Sequence, residues 1–201
     1  MNSLIQELQC NDARGATPHQ PGADGLVLAT TPIKGRTALA DQHLSLVFDP
    51  GTDMVCAASV DETITARILG RTISYALRDL HVPKGATVEV ITTGARDARA
   101  LPEAVRRASG RTIHVRQIGW DRMGRYERSA FDIARSLSVA CAYEAAMGWA
   151  DLSTAEHRRM FVEATLEQVL YWHHRKSPAV PGAKSPIERL AARQFIIGGE
   201  A

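Results

Sequence analysis

Cysteine is scarce in this chain and is spread widely along it. The 201 residues include three cysteines, Cys10, Cys56 and Cys141, and none of them has the paired spacing of a zinc site or a disulfide framework. An odd and dispersed set of this kind predicts free thiols in a reducing compartment. The sequence therefore argues against a small secreted scaffold held together by disulfides.

Long apolar runs are also missing. No stretch approaches the roughly 20 residues that cross a bilayer, and the start of the chain lacks the basic-then-apolar pattern of a secretory signal. We therefore expect a cytoplasmic protein without a membrane partner. The histidines show no ligand spacing, there is no phosphate-binding glycine loop, and no serine or cysteine has an identifiable base. The sequence thus predicts no metal and no cofactor.

The net charge is small but unevenly distributed. Over the whole chain it is only +2, whereas residues 96–135 hold ten arginines and five acidic residues. Clustered arginine favours phosphate or carboxylate partners. A solvated charged surface has the same composition, so both interpretations stay open.

The pattern of apolar residues divides the chain into three parts. Residues 1–24 are rich in turn formers and predict a mobile arm. Residues 25–150 predict an α/β domain in which three short strands precede a helix, after which single strands and helices alternate. Residues 151–201 predict one amphipathic helix, a linker and a short amphipathic tail.

This order of elements resembles the ribonuclease H-like (RNase H-like) fold over residues 25–148, and four short stretches add to the resemblance. Residues 28–32 (LATTP) stand where the family's first strand ends in a Thr-Asp-Gly-like turn, and residues 91–94 (ITTG) stand for its Thr-Asp-Ser. Gly119-Trp120 stands for a Gly-His loop, and residues 127–134 for the start of the last helix. The resemblance implies a five-stranded mixed sheet of order 3-2-1-4-5 flanked by helices, with a C-terminal helical extension.

The same resemblance implies a degenerate active site. RNase H-like nucleases hold two divalent cations with clustered carboxylates. Carried over by position, the first three acids fall on Thr31, Ala66 and Thr93, and the acid of the last helix falls on Asp132, with Glu127 as second choice. Threonine and alanine do not replace charged ligands, so the resemblance predicts a domain that does not cleave.

Arginines follow both of the last two predicted strands. Arg96 and Arg99 come after the fourth strand, and Arg122 and Arg125 come after the fifth, beside Trp120. Because the carboxyl ends of parallel strands meet at one edge of a sheet, these five residues predict a nucleic-acid-binding rim.

We therefore expect a non-catalytic RNase H-like domain that binds RNA or DNA, or serves as a scaffold, within a nucleic-acid-processing assembly. A protein partner is expected to bind residues 153–201. One alternative is a magnesium-dependent nuclease with relocated carboxylates at Glu62, Asp97 and Asp132. Another is a module that binds only proteins, and fold resemblance alone does not choose among these functions.

Overall fold

The part of the chain that can be described covers most of the predicted domain and its extension. The computed structural model describes residues 25–34, 42–92, 98–118, 120–148, 152–176 and 182–198, with the backbone alone at 120–123 and 193–198. The predicted arm, residues 1–24, lies outside these ranges.

Five strands form one mixed sheet. They are β1 (Leu26–Pro32), β2 (His43–Asp49), β3 (Met54–Asp61), β4 (Thr87–Thr92) and β5 (Thr112–Gln117). The order across the sheet is β3-β2-β1-β4-β5, in which the first three strands are antiparallel neighbours and β4 and β5 run parallel to β1. The predicted fold class and strand order are confirmed.

Helices cover both faces of this sheet. They are α1 (Ala66–Asp79), α2 (Leu101–Ser109), α3 (Trp120–Ala146), α4 (Ala155–Arg175) and α5 (Pro186–Gly198), with a short 3-10 helix (Ala98–Ala100) before α2. Residues of α1 and α2 pack in a cluster on one face, and residues of α3 and α4 in a cluster on the other.

The central strand β1 supplies both clusters, because successive side chains of a strand point to opposite faces. Leu26 and Leu28 pack with α1 and α2, whereas Val27 and Ala29 pack with α3 and α4. All four are buried. This double burial explains why the first four residues of the strand, Leu26 to Ala29, are a continuous apolar run rather than an alternating one.

Helix α1 lies against both the sheet and α2. Leu77 of this helix and Val90 of β4 are fully buried, whereas Ile68 is only half-buried. Thr65 is the N-cap of the helix, and its side chain accepts from the Ile68 amide at 3.3 Å. At Gly70 a Cβ atom would lie 2.7 Å from the Ala104 Cβ, so glycine permits the close approach of α1 and α2.

Helix α4, in the segment predicted as an extension, belongs to the same core as the sheet. Its Val162, Leu166 and Leu170 are buried among residues of α3 and the strands. Helix α5 begins at a capping box in which Ser185 and Glu188 each accept a hydrogen bond from the other's backbone amide, at 3.4 and 2.7 Å. Across the described ranges, no helix is long and apolar enough to span a membrane.

Candidate nucleic-acid interface

The positions that stand for the family's first acids carry no carboxylate in the described residues. Thr31 is half-buried near the end of β1, opposite Leu44 of β2. Ala66 is half-buried at the first position of α1. Thr93 lies outside the described residues; within them, the last pair between β1 and β4 is Leu28 with Thr92, three residues before Thr31 along β1.

The two candidate acids of α3 point in different directions. Five residues separate Glu127 from Asp132, which places them about 140° apart around the helix. Glu127 is half-buried and its Oε1 makes no hydrogen bond, whereas Asp132 is exposed. Asp132 lines a cleft beside Phe48 and Asp53. Phe48 lies next to Val27 near the start of β1, so this cleft is toward the opposite end of the strand from Thr31.

The relocated set of acids is not brought together among the residues that can be described. Glu62 is exposed in the turn after β3, on the way to α1. Asp132 is on α3, on the other face of the sheet and near the start of β3. Glu62 follows the end of β3, and this strand spans about 23 Å. Asp97 lies outside the described ranges. Within those ranges no three His, Cys, Asp or Glu side chains are grouped to hold a metal ion.

The predicted arginine rim is described at two positions. Arg96 lies outside the described residues, and so do the side chains of Trp120 and Arg122. Arg99 is exposed on the 3-10 helix before α2, in the layer that covers one face of the sheet. Arg125 is on α3, in the layer that covers the other face, so the structure does not bring these two together.

Arg125 instead faces the turn between β2 and β3. One of its terminal nitrogens lies 3.5 Å from the Pro50 carbonyl and 3.4 Å from Asp53 Oδ1, and it also donates to the Tyr126 hydroxyl. Its guanidinium lies over the Tyr126 ring, 4.6 Å from the centroid. Tyr126 in turn packs against Phe48, and burial raises the pKa of its phenol.

This arginine belongs to one wall of the cleft that Asp132 lines. The cleft has a volume of about 880 Å³ and is bounded by α3, the end of α4, the start of α5 and the β2–β3 turn. Arg189 of α5 contacts Asp53 Oδ2 at 2.7 Å, so Asp53 holds two arginines on this wall. The four cations and two acids that line the cleft give it a positive balance: Arg125, Arg175, Lys176 and Arg189 with Asp53 and Asp132.

The opposite wall is the last turn of α4. Trp172 is 69% exposed and meets the Tyr171 ring edge-on, with ring centroids 5.5 Å apart. The guanidinium of Arg175 lies over the Tyr171 ring, 3.5 Å from its centroid. Half-buried His173 lines the cleft between them, and its pKa is lowered by burial and by the positive charge of Lys176. At neutral pH its imidazole is therefore uncharged.

Sequence reasoning did not predict this cleft. It identified Arg125 and Asp132, but it assigned Arg125 to the rim at the strand ends and Asp132 to the acid position of the degenerate active site. The local signal was present in the sequence YWHHRK (171–176), in which two aromatic and two permanently charged residues share one turn. What the sequence did not show is that α4 folds back onto α3 and brings this turn beside Asp132.

Comparison with known proteins agrees with the fold. No protein-family model matches the chain, and no curated protein matches it. Solved structures do match, among them a chain of the simian T-cell lymphotropic virus intasome in complex with PP2A regulatory subunit B56 gamma, at 14% identity and a TM-score of 0.55. The match covers 87% of this chain and spans 55% of that one, about half its length. At this identity the similarity shows the fold, which is RNase H-like.

Proposed function

We propose that the protein is an RNase H-like domain that binds nucleic acid in a nucleic-acid-processing assembly and does not cleave it. The observation that carries the proposal is the cleft, in which cationic side chains and an exposed tryptophan surround one open volume. Cationic grooves with aromatic platforms are a common means of binding nucleic acid. The shared fold with a chain of an intasome complex is consistent with such a setting.

The non-catalytic part of the proposal is supported by the residue types at the family's acid positions. Two-metal hydrolysis needs several carboxylates around one site, because hard divalent cations prefer charged oxygen ligands. Thr31 and Ala66 offer none. Asp53, the acid that shares the cleft with Asp132, is held by two arginines, so the cleft is a poor substitute for the lost site.

The proposed protein partner on residues 153–201 has limited room. The inner side of α4 is used by the core, so a partner that contacts this helix meets its outer side, where Met160 is 57% exposed. Helix α3 adds a second exposed apolar row, because Phe131, Val139 and Tyr143 are each at least half exposed. These two surfaces support a scaffolding role alongside nucleic-acid binding.

Two double variants can separate the cleft from the rim predicted at the strand ends. Arg175→Gln with Lys176→Gln changes the α4 wall, and Arg96→Ala with Arg99→Ala changes the part of the rim that follows the fourth strand; Arg99 is not among the residues that line the cleft. We expect fluorescence anisotropy with labelled RNA and DNA 20-mers at 20 mM salt to show binding by the wild type and clearly weaker binding by the first pair. The labelled strands should remain intact on gels after incubation with Mg²⁺ or Mn²⁺.

Two results count against the proposal. Metal-dependent cleavage that purifies with the protein and is lost on Asp132→Asn supports the nuclease alternative. If no nucleic acid binds at low salt, the module that binds only proteins is the alternative that remains. If only the Arg96 and Arg99 pair weakens binding, the interface is the predicted rim and not the cleft.

A further inference from the structure

We infer that the cleft selects single-stranded nucleic acid, with one base stacked on Trp172 and the adjoining phosphates held by Arg175 and Lys176. This inference rests on the proposed function and specifies the substrate class of the same site. It follows from three features of the cleft: an aromatic platform, cations beside that platform, and neutral or acidic groups elsewhere in the lining.

The platform is exposed and already oriented. Trp172 leaves 69% of its surface accessible, and the neighbouring Tyr171 ring packs edge-on against it. Arg175 is held over the same Tyr171 ring, so Trp172 and Arg175 are fixed relative to each other. A base that stacks on such a ring gains affinity with little dependence on sequence, because every base has a π-face. Bases inside a duplex are stacked on each other and do not offer that face.

The cations lie where the backbone of a stacked nucleotide passes. Lys176 follows Trp172 by four residues, and its amide donates to the Trp172 carbonyl at 2.9 Å, so it caps the same turn. In the described part of the chain Lys176 forms no ion pair. On the far wall Asp53 is paired with Arg125 and Arg189, which keeps much of that positive charge compensated. The strongest phosphate attraction is therefore expected on the α4 side.

Two other lining residues, Asp132 and His173, suit base edges better than a second phosphate chain. Asp132 is an exposed hydrogen-bond acceptor, and the neutral imidazole of His173 offers one donor and one acceptor. Carboxylates accept from base amino groups, whereas they repel phosphate. In a duplex the Watson–Crick edges are occupied, but in a single strand they are free. An acid in the lining of a cationic cleft thus favours one strand with its bases turned inward.

The test compares a mixed-sequence 20-nucleotide DNA strand with the duplex formed on its complement, both carrying the same fluorescein label. Trp172→Ala should weaken binding of the single strand by about 5- to 150-fold, the range that corresponds to loss of one base–aromatic stack. Trp172→Phe should recover most of that loss. Lys176→Gln should reduce the slope of log affinity against log salt by about 0.7, while Trp172→Ala leaves the slope unchanged.

Tyr75 provides a matched control. It is 47% exposed on α1, on the other layer, and Arg78 lies over its ring at 5.2 Å, so it is another exposed aromatic beside an arginine. Tyr75→Ala should leave the affinity for the strand unchanged. Circular dichroism and thermal unfolding of each variant confirm that the fold is kept, as expected for exposed side chains.

The outcomes separate this inference from the proposed function. If strand and duplex bind equally and Trp172→Ala changes neither, nucleic-acid binding stands and the single-strand cleft is overturned. If no nucleic acid binds at 20 mM salt, both fail. If polyglutamate displaces the strand as well as unlabelled strand does at equal charge, the cleft binds acidic partners by charge alone and the inference is again overturned.

Discussion

The backbone amide of Val55 donates a hydrogen bond to Nε2 of His174 at 3.1 Å, across 119 residues of sequence. Val55 lies in β3, an edge strand of the sheet, and an edge strand presents amides with no strand partner. His174 is 4% exposed near the end of α4. One buried imidazole therefore links the end of α4 to the edge of the sheet, and it can accept this hydrogen bond only while Nε2 is unprotonated.

This contact predicts that stability falls in mild acid. Burial, followed by the charges of His173 and Arg175, lowers the pKa of His174 to about 3. Because the unfolded chain binds a proton near its ordinary value of about 6.5, it holds more protons than the folded chain below that pH. The stability is fully present above pH 6.5 and is lost as the pH falls toward 3, by about 2 kcal/mol at pH 5. Urea unfolding at pH values from 7.5 to 5 measures this loss of folding stability.

Variants at the two neighbouring histidines identify the source of that slope. His174→Gln keeps a neutral acceptor and should remove most of the pH dependence, although it lowers stability at pH 7.5. His173→Gln, at the half-buried neighbour, should retain most of it. An unchanged slope in His174→Gln contradicts the assignment.

Truncation of Leu77 tests how much the packing of α1 on the sheet contributes to folding stability. The side chain is fully buried, so Leu77→Ala should destabilise the fold by about 2–5 kcal/mol, the range for deleting a large buried aliphatic group. Ile68→Ala on the same helix is the control and should cost less, because Ile68 is only half-buried. Equal losses in denaturant unfolding, or a larger loss for Ile68, would mean that α1 presents a different face to the sheet.

Asp53 offers a way to raise the charge of the cleft. Asp53→Asn removes the carboxylate that pairs with Arg125 and Arg189, while asparagine tolerates the positive φ of 57° at this position. Single-strand affinity at 50 mM salt should rise, and stability should fall by roughly 1 kcal/mol because two partly exposed ion pairs are lost. Asp79→Asn removes the exposed pair with Arg78 and should leave binding unchanged. Weaker binding by Asp53→Asn would indicate that paired arginines, rather than free ones, form the site.

Divalent cations test the degenerate-site hypothesis. Titration calorimetry with Mg²⁺ and with Mn²⁺ should show no tight two-site binding, because Thr31 and Ala66 supply no charged oxygen. Tight binding that is abolished by Glu62→Gln, Asp97→Asn or Asp132→Asn would instead support the relocated nuclease site. The calorimetric result does not depend on finding the right nucleic acid, so it tests this part of the proposal separately.

The sheet and the order of its strands were predictable from the sequence, but the cleft was not. Strands such as β1 are short apolar runs bounded by turn residues, and their order followed from the RNase H-like resemblance. The Ser185–Glu188 capping box has the sequence pattern S-x-x-E with proline at the first helical position, so it was predictable from the sequence. The contact between Val55 and His174 was not predictable from local pattern, because it depends on how α4 packs. The walls of the cleft, with Asp53, Arg125, Trp172 and Arg189, likewise meet only after α3, α4 and α5 pack together.

The measurement that tests the central claim most directly is the affinity of the wild-type protein for a single-stranded 20-mer between 20 and 200 mM KCl. If the cleft binds the phosphate backbone, log affinity should fall linearly with log salt, with a slope of about −0.7 for each phosphate contact, because counterions are released. The double variant Arg175→Gln with Lys176→Gln should flatten that slope by about 1.4. A wild-type affinity that does not change with salt, or a slope that the double variant leaves intact, would contradict the account.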